Sequence, residues 1–305
     1  SENEILIPKN VIIATGSRPK TLPGLEIDGK YVLSSDEALT LEKLPKSLLI
    51  VGGGVIGVEW ASMMSDFGVE VTIVEYASTI LPTEDYEICR EMQRLLKKKK
   101  INVITDAKIL PNTLQEKGNV VEIIADIKGV EQTFTMEKIL VSVGRQANVE
   151  QIGIENTDII VDNGYISTNY YYQTKDSHIY AIGDCIGGLQ LAHVASREGI
   201  IAVEHMANKE PHLMNSLNVP KCIYASPEVA SVGLTENEAR EKGYDVKIGK
   251  FSFKGSGKAL VLGDSNGFVK IIADQKNNDI LGIHMIGPHV TDLISEAGLA
   301  KVLEA

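Results

Sequence analysis

Six consecutive residues offer phosphate chemistry: Gly52, Gly53, Gly54, Val55, Ile56 and Gly57. Gly52, Gly54 and Gly57 fit the spacing GxGxxG, in which each glycine has its own task. Gly52 makes a tight turn, Gly54 lets a pyrophosphate approach the backbone, and Gly57 lets the following helix pack close to the preceding strand. The helix N-terminus then faces the phosphates with its free N–H groups. Glu75 stands 23 residues after Gly52, where the ribose of a dinucleotide is expected. A carboxylate there accepts both ribose hydroxyls and repels a 2′-phosphate, and Tyr76, Ala77, Ser78 and Thr79 supply no cation for one. The expected ligand is NAD rather than NADP. The competing readings are a plain glycine turn and an exposed glutamate at a strand end.

Other reactive residues form no familiar constellation. Cys89, Cys185 and Cys222 are too far apart for a CxxC redox pair or a metal knuckle, and read as core or incidental residues. His284 and His289, five apart around Gly287 and Pro288, make no metal motif and receive no role. No metal site is expected. Lys97 to Lys100 read as cations complementing a helix C-terminus.

The elements that must position the glycine loop are legible around it. A strand is expected at 48–51, then a helix whose stripe is Ile56, Trp60, Met63, Met64 and Phe67, closed by Gly68. An alternating strand follows at 69–75, then a helix at about 85–100. Four apolar runs lead into glycine at their carboxyl ends, at 11–16, 48–53, 139–144 and 179–184, as strands of a parallel sheet covered on both faces do. Residues 101–135 read as antiparallel strands turning at Gly118 and Gly129. Beyond a helix at 191–208 the chain becomes α+β, with strands near 222–225, 246–253, 267–273 and 280–286 and helices near 236–242 and 291–303.

Composition narrows the classes. The 305 residues carry 30 Lys and Arg against 41 Asp and Glu, a net charge of −11, which disfavours binding to nucleic acid or an anionic membrane surface. The longest uncharged apolar stretch, 47–58, is shorter than the roughly 17–20 residues that cross a bilayer. Three separated thiols suit a cytoplasmic location.

With these motifs in view, the chain resembles the pyridine nucleotide–disulfide oxidoreductases. Ala14-Thr-Gly-Ser-Arg-Pro19, the GGGVIGVE block from Gly52 to Glu59, Val143-Gly-Arg145, Ala181-Ile-Gly-Asp184 and the segment from Ala225 to Glu236 stand in family order. The likeness runs over the whole chain and is greatest to members that oxidise protein-bound dihydrolipoamide with NAD+ via FAD. Gly144-Arg-Gln-Ala-Asn148 departs from the commoner GRxPN and is reminiscent of versions serving branched-chain 2-oxoacid dehydrogenase complexes. The resemblance implies an α/β fold: a Rossmann-like NAD-binding domain at 21–145, a partial FAD-binding domain at 1–20 and 146–215, and an incomplete α+β dimerisation domain at 216–305. It places Thr15, Gly16 and Ser17 beside FAD, Asp184 at its ribityl–pyrophosphate region, and Gln190, Leu191, Ala192 and His193 at a helix start facing the isoalloxazine. Gly52 to Gly57, Glu59, Glu75 and Gly144 line the NAD site, with Ile109 near the adenine.

The family's first GxGxxG, its CxxxxC disulfide and its His–Glu acid–base pair are not found in these residues. The chain is therefore expected to be an internal piece of a longer flavoprotein, with no catalytic residue of its own and inactive alone. Implied partners are a second copy of the chain and the lipoyl domains of a 2-oxoacid dehydrogenase complex. The alternatives are a non-catalytic NAD-binding and dimerisation module, or another flavin disulfide reductase.

Overall fold

A computed structural model describes residues 5–304. They divide into two compact units, one made from the described parts of 1–18 and 145–216, the other from 19–144 and 217–305.

The larger unit is built on a five-stranded parallel sheet. Its strands are β1 (Val32–Leu33), β2 (Ser47–Val51), β3 (Glu70–Val74), β4 (Asn102–Ile104) and, from later in the chain, Lys138–Val141. Helix α1 (Val55–Asp66) joins β2 to β3, and α2 (Tyr86–Lys98) joins β3 to β4. A three-stranded antiparallel meander follows: β5 (Ala107–Lys117), β6 (Val120–Ile127) and β7 (Val130–Met136). Lys138–Val141 is β8, and the sheet order is β1-β8-β2-β3-β4. The apolar run of β2 is explained by two cores. Leu48 and Ile50 pack with α1 and α2, while Leu49 and Val51 pack with Ile109, Val121 and Phe134 of the meander. A strand covered on both faces has no polar side to show.

Three expectations change here. Residues 69–75 do not alternate in burial, because β3 is central and buries Val71, Thr72, Ile73 and Val74. Residues 102–104 belong to the parallel sheet, pairing with β3, and the meander starts only at Ala107. The buried side of α1 is Val58, Trp60, Ala61 and Met64, whereas Met63 is 38% and Phe67 61% exposed. Small Ser62 is buried too, where its hydroxyl accepts from Ser226 N–H at 2.8 Å, so this helix is contacted on two sides.

Residues 217–305 complete the same unit. Their antiparallel sheet uses β9 (Lys221–Ile223), β10 (Glu228–Gly233), β11 (Val246–Ser252), β12 (Phe268–Asp274) and β13 (Ile280–Gly287), in the order β9-β10-β13-β12-β11. Helices α3 (Glu236–Glu241) and α4 (Val290–Val302) accompany it. Ala230, Val232, Ile283 and Met285 face α4. On the opposite face Ile223, Val229, Phe268 and Ile286 enter the core that holds α1 and α2, which is why this region is not a separate unit. Strand β10, within the segment quoted as a family motif, has no counterpart among the expected elements.

The smaller unit pairs the strands Val11–Ile13 and Ile179–Ala181 in parallel. Its core centres on Ile166, Ala181 and Cys185. Val11 and Ile12 are 41% and 37% exposed within these residues, unlike the central strands of the larger sheet. The long helix is Ala192–Met206.

Candidate dinucleotide and flavin sites

The glycine loop has the geometry its three glycines require. Gly52 sits at φ +109°, and a Cβ there would lie 2.5 Å from Ser142 O. A Cβ on Gly57 would lie 2.0 Å from Gly52 O, so only glycine lets α1 approach the loop this closely. Gly54 is the N-cap of α1 and differs from both. No side chain caps this helix, and a Cβ on Gly54 would meet nothing within 4 Å. The uncapped first turn and the open space at Gly54 are the cradle a pyrophosphate needs.

Glu75 turns back onto this loop. Its Oε2 accepts from Gly53 N–H at 2.5 Å and its Oε1 from Ala77 N–H at 2.6 Å. Each carboxylate oxygen keeps a further lone pair for a ribose hydroxyl. Leu81 N–H donates to Gly53 O at 2.8 Å, and a Cβ on Gly53 would lie 2.7 Å from Ile80 Cγ2. Sequence reasoning missed Ile80 and Ser142. Ser142 stands two residues before Gly144 and donates from Oγ to Val51 O and Gly52 O, joining β8 to the loop. Gly144 is exposed at φ +111°.

Two further candidate positions have contacts of their own. Glu59 is in the second turn of α1, and its Oε1 accepts from Tyr224 N–H at 2.8 Å. Burial pushes its carboxyl up, with the Tyr224 hydrogen bond opposing. Ile109 is 6% exposed among Val74 and Val121 in the core, which explains its apolar type without an adenine.

In the smaller unit Thr15 Oγ donates to Asn148 O at 2.6 Å, and Asn148 Nδ2 donates to Thr15 O at 2.9 Å. Gly16 sits at φ +67°. Ser17 Oγ donates to Asp184 Oδ2 in a short hydrogen bond and accepts from Arg145 Nε at 2.6 Å. Arg145 stands 3.7 Å from Asp184, so this carboxylate is already engaged. The departure from GRxPN is Ala147, which is buried, while Asn148 keeps the pattern's asparagine and ties it to Thr15. Glu198, which sequence reasoning missed, is buried and accepts from Gly183 N–H at 2.6 Å. Burial pushes its carboxyl up. Gln190 sits at φ +49° with a buried Nε2 that has no partner. It precedes Leu191, the uncapped N-cap of the long helix, where Ala192 and His193 are exposed. An orphan donor beside a bare helix N-terminus fits an electron-rich ligand edge.

The cysteines are free and lie on separate elements. Burial pushes the Cys89 thiol up to about 11, with Glu84 adding to it. Among the described residues no group of three His, Cys, Asp or Glu could hold a metal, and no helix is long and apolar enough to cross a membrane.

Comparison with known proteins decides the family. Residues 1–199 match the model of the pyridine nucleotide-disulphide oxidoreductases, and residues 219–305 match that family's dimerisation domain. The chain belongs to this family. A dihydrolipoyl dehydrogenase of Bacillus subtilis is 67% identical over 304 residues, covering 100% of this chain and 64% of the relative. One of Zymomonas mobilis is 42% identical, covering 99% and 65%. The chain thus spans a little under two thirds of the length of these relatives. Among solved structures, LpdA of Mycobacterium tuberculosis superposes with a TM-score of 0.88 at 26% identity, over 96% of this chain and 63% of that one. The HOCl-induced flavoprotein disulfide reductase RclA of Escherichia coli gives 0.87 at 28%, over 96% and 66%. The cofactors of pyridine nucleotide-disulphide oxidoreductases are FAD and NAD(H).

Proposed function

We propose that this protein serves dihydrolipoyl dehydrogenase activity, the oxidation of protein-bound dihydrolipoamide by NAD+ through FAD. The observation that carries the reading is 67% identity to the Bacillus subtilis enzyme along the entire chain. In this reading the N–H groups of α1 and the open backbone at Gly54 hold the NAD pyrophosphate. Glu75 takes the adenosine ribose hydroxyls, Gly53 is held in place by Glu75, and Val55, Ile56 and Gly144 border the nucleotide. Thr15, Gly16, Ser17 and Asp184 adjoin FAD, and Gln190 with the helix start at Leu191, Ala192 and His193 faces its ring. Bound flavin supplies the hydride chemistry, while the protein orients both cofactors and excludes water. Glu59 positions the 222–226 segment rather than the nucleotide. The partners are a second copy of the chain, through residues 219–305, and lipoyl domains of a 2-oxoacid dehydrogenase complex.

A chimera tests this. The 305 residues replace the matching segment of the Bacillus subtilis enzyme, and dihydrolipoamide-dependent reduction of NAD+ and NADP+ is followed. Turnover with NAD+ well above NADP+ is expected. A folded, flavin-loaded chimera without it overturns the proposal.

A further inference from the structure

The face of the antiparallel sheet opposite α4 carries a row of polar side chains that the proposed function leaves unused. Lys221 pairs in register with Ser231, Ser231 with His284, His284 with Lys270, and Lys270 with Lys250. Directly opposed residues stand on the same face of a sheet, about 5 Å apart. The parallel row Ile223, Val229, Ile286 and Phe268 enters the core with α1 and α2, so the polar row is pressed against the segment that leads into α2.

That segment answers it with carboxylates. Lys221 Nζ is 3.3 Å from Glu84 Oε1. Lys270 Nζ meets both oxygens of Asp85, Glu87 at 3.2 Å and Glu236 at 2.7 Å, and Lys250 meets Glu87 at 2.7 Å. Glu84 therefore covers the Lys221 end of the row and Asp85, the next residue, covers Lys270. Ser231 and His284 lie between.

Three atoms in this stretch have no hydrogen-bond partner among the described residues: Glu84 Oε2, Ser231 Oγ and His284 Nδ1. Glu84 is 8% exposed, and Ser231 and His284 are fully buried. Buried polar atoms left unpaired are costly and rare. His284 Nε2 lies 2.9 Å from Leu234 O. A carbonyl can only accept, so Nε2 carries the proton and Nδ1 is a bare acceptor. Glu84 Oε2 is a second acceptor, and the Ser231 hydroxyl can donate.

The count of donors and acceptors selects what joins them. Glu84, Asp85, Glu87 and Glu236 are matched by Lys221, Lys250, Lys270 and Arg240, the last 2.8 Å from Glu236. Glu238 is held by the Thr235 N–H and hydroxyl in the cap of α3. Burial keeps His284 neutral by pushing it below 6.5, against the pull of Asp85 and Glu84. A neutral molecule with two donors and an acceptor satisfies all three atoms, whereas a cation gives the Ser231 hydroxyl proton no acceptor. A cleft of about 280 Å³ is lined by Glu84, Thr235 and Glu238.

We infer that Glu84, Ser231 and His284 form an internal site for one ordered water molecule, which accepts from the Ser231 hydroxyl and donates to Glu84 Oε2 and His284 Nδ1. The site rivets the 81–87 segment to the sheet. Leu81 of the same segment holds the glycine loop through Gly53 O, so the water steadies the nucleotide site from behind.

Neutron diffraction from crystals of the protein in D2O, with a parallel rubidium soak, tests the site. A solvent peak at about 2.6–3.2 Å from all three atoms is expected, with deuterium on His284 Nε2 and none on Nδ1. A direct contact between two of the three side chains, an empty site, or rubidium there overturns the inference. In solution, Ser231→Val replaces the hydroxyl by a methyl and removes the donor to the water. The His284 Nδ1 nitrogen resonance is expected to move while Nε2 keeps its proton, and an unmoved Nδ1 resonance in folded Ser231→Val overturns it as well.

Discussion

Lys270 Nζ lies 2.9 Å from one carboxylate oxygen of Asp85 and 3.1 Å from the other, across 185 residues of chain, and both side chains are 1% exposed. Such a pair is costly to bury but far costlier to break. Removing one partner leaves an uncompensated buried charge, worth about 3–5 kcal/mol. Lys270→Met is therefore expected to lower unfolding free energy by that order in urea titrations, and Asp85→Leu added to it should restore part of the loss.

The same network sets a pH dependence. Burial pushes Lys270 down, but its hydrogen bonds to Glu236 and Asp85 outweigh it and leave it above its ordinary 10.5. Burial pushes Asp85 up, but Lys270 and the Glu236 N–H outweigh it, and Glu236 is lowered chiefly by Lys270. A raised lysine contributes stability below 10.5 that is lost as pH rises through its folded value. The lowered carboxyls contribute stability above their ordinary values that is lost as pH falls. The difference between wild type and Lys270→Met should be flat from about pH 5 to 9 and shrink below that. An unchanged difference at pH 3 contradicts this account.

None of this network was legible in the sequence. Lys270 and Lys221 look like surface lysines of an acidic protein, and Asp85 looks like a helix cap, which it also is, accepting from Glu87 N–H at 3.0 Å. Their meeting depends on the register between strands far apart in the chain. The glycine loop was legible because its requirements are local: Gly52, Gly54 and Gly57 answer to a turn, an open approach and a close packing within six residues. The stripe assigned to α1 failed at Met63 and Phe67 because periodicity assumes one buried face, and α1 is contacted by two layers. Ile109 shows the opposite limit, since a core residue and a cofactor neighbour can be the same residue type.

The glycine loop separates binding from folding. Gly54→Ala adds a methyl to open space at a helix N-cap and should cost under about 1 kcal/mol of stability. The same methyl stands where the pyrophosphate approaches, so NADH binding should fall at least tenfold. Gly57→Ala meets Gly52 O and should lose about 1–3 kcal/mol together with binding. Thermal melts beside fluorescence titration of NADH distinguish the two, and equal melting losses would refute the distinction.

Glu75 should set the preference for NADH. Losing hydrogen bonds to a charged acceptor costs about 1.5–3 kcal/mol, so Glu75→Ala should weaken NADH tenfold or more. Part of that loss comes through the loop, because Gly53 N–H and Ala77 N–H lose their acceptor as well. NADPH suffers this loop effect but gains relief from charge repulsion at its 2′-phosphate, and should lose less. Titration of both nucleotides into wild type and variant decides the matter. Equal weakening would assign Glu75 to the loop alone.

Thiol chemistry should be absent from the 305-residue chain itself. Forming a disulfide needs two sulfurs on Cα atoms within about 7 Å. Cys89 is in α2, Cys185 in the turn Gly183–Ile186 and Cys222 in β9, and all three are free. Exchange also requires a thiolate. Burial with Glu84 holds Cys89 at about 11, and burial raises Cys222 as well, so both stay protonated near neutral pH. Dihydrolipoamide-dependent NAD+ reduction by the purified chain should therefore stay at background even with added FAD, and iodoacetamide should label the folded protein slowly. The proposed nucleotide site draws only on residues 52–144, so NADH binding is expected under the same conditions. The chimera with the Bacillus subtilis enzyme should recover turnover, because its remaining length brings the residues that these 305 do not supply. Substantial turnover by the 305-residue chain, with its mass verified, would mean that one of these three cysteines does redox work after all.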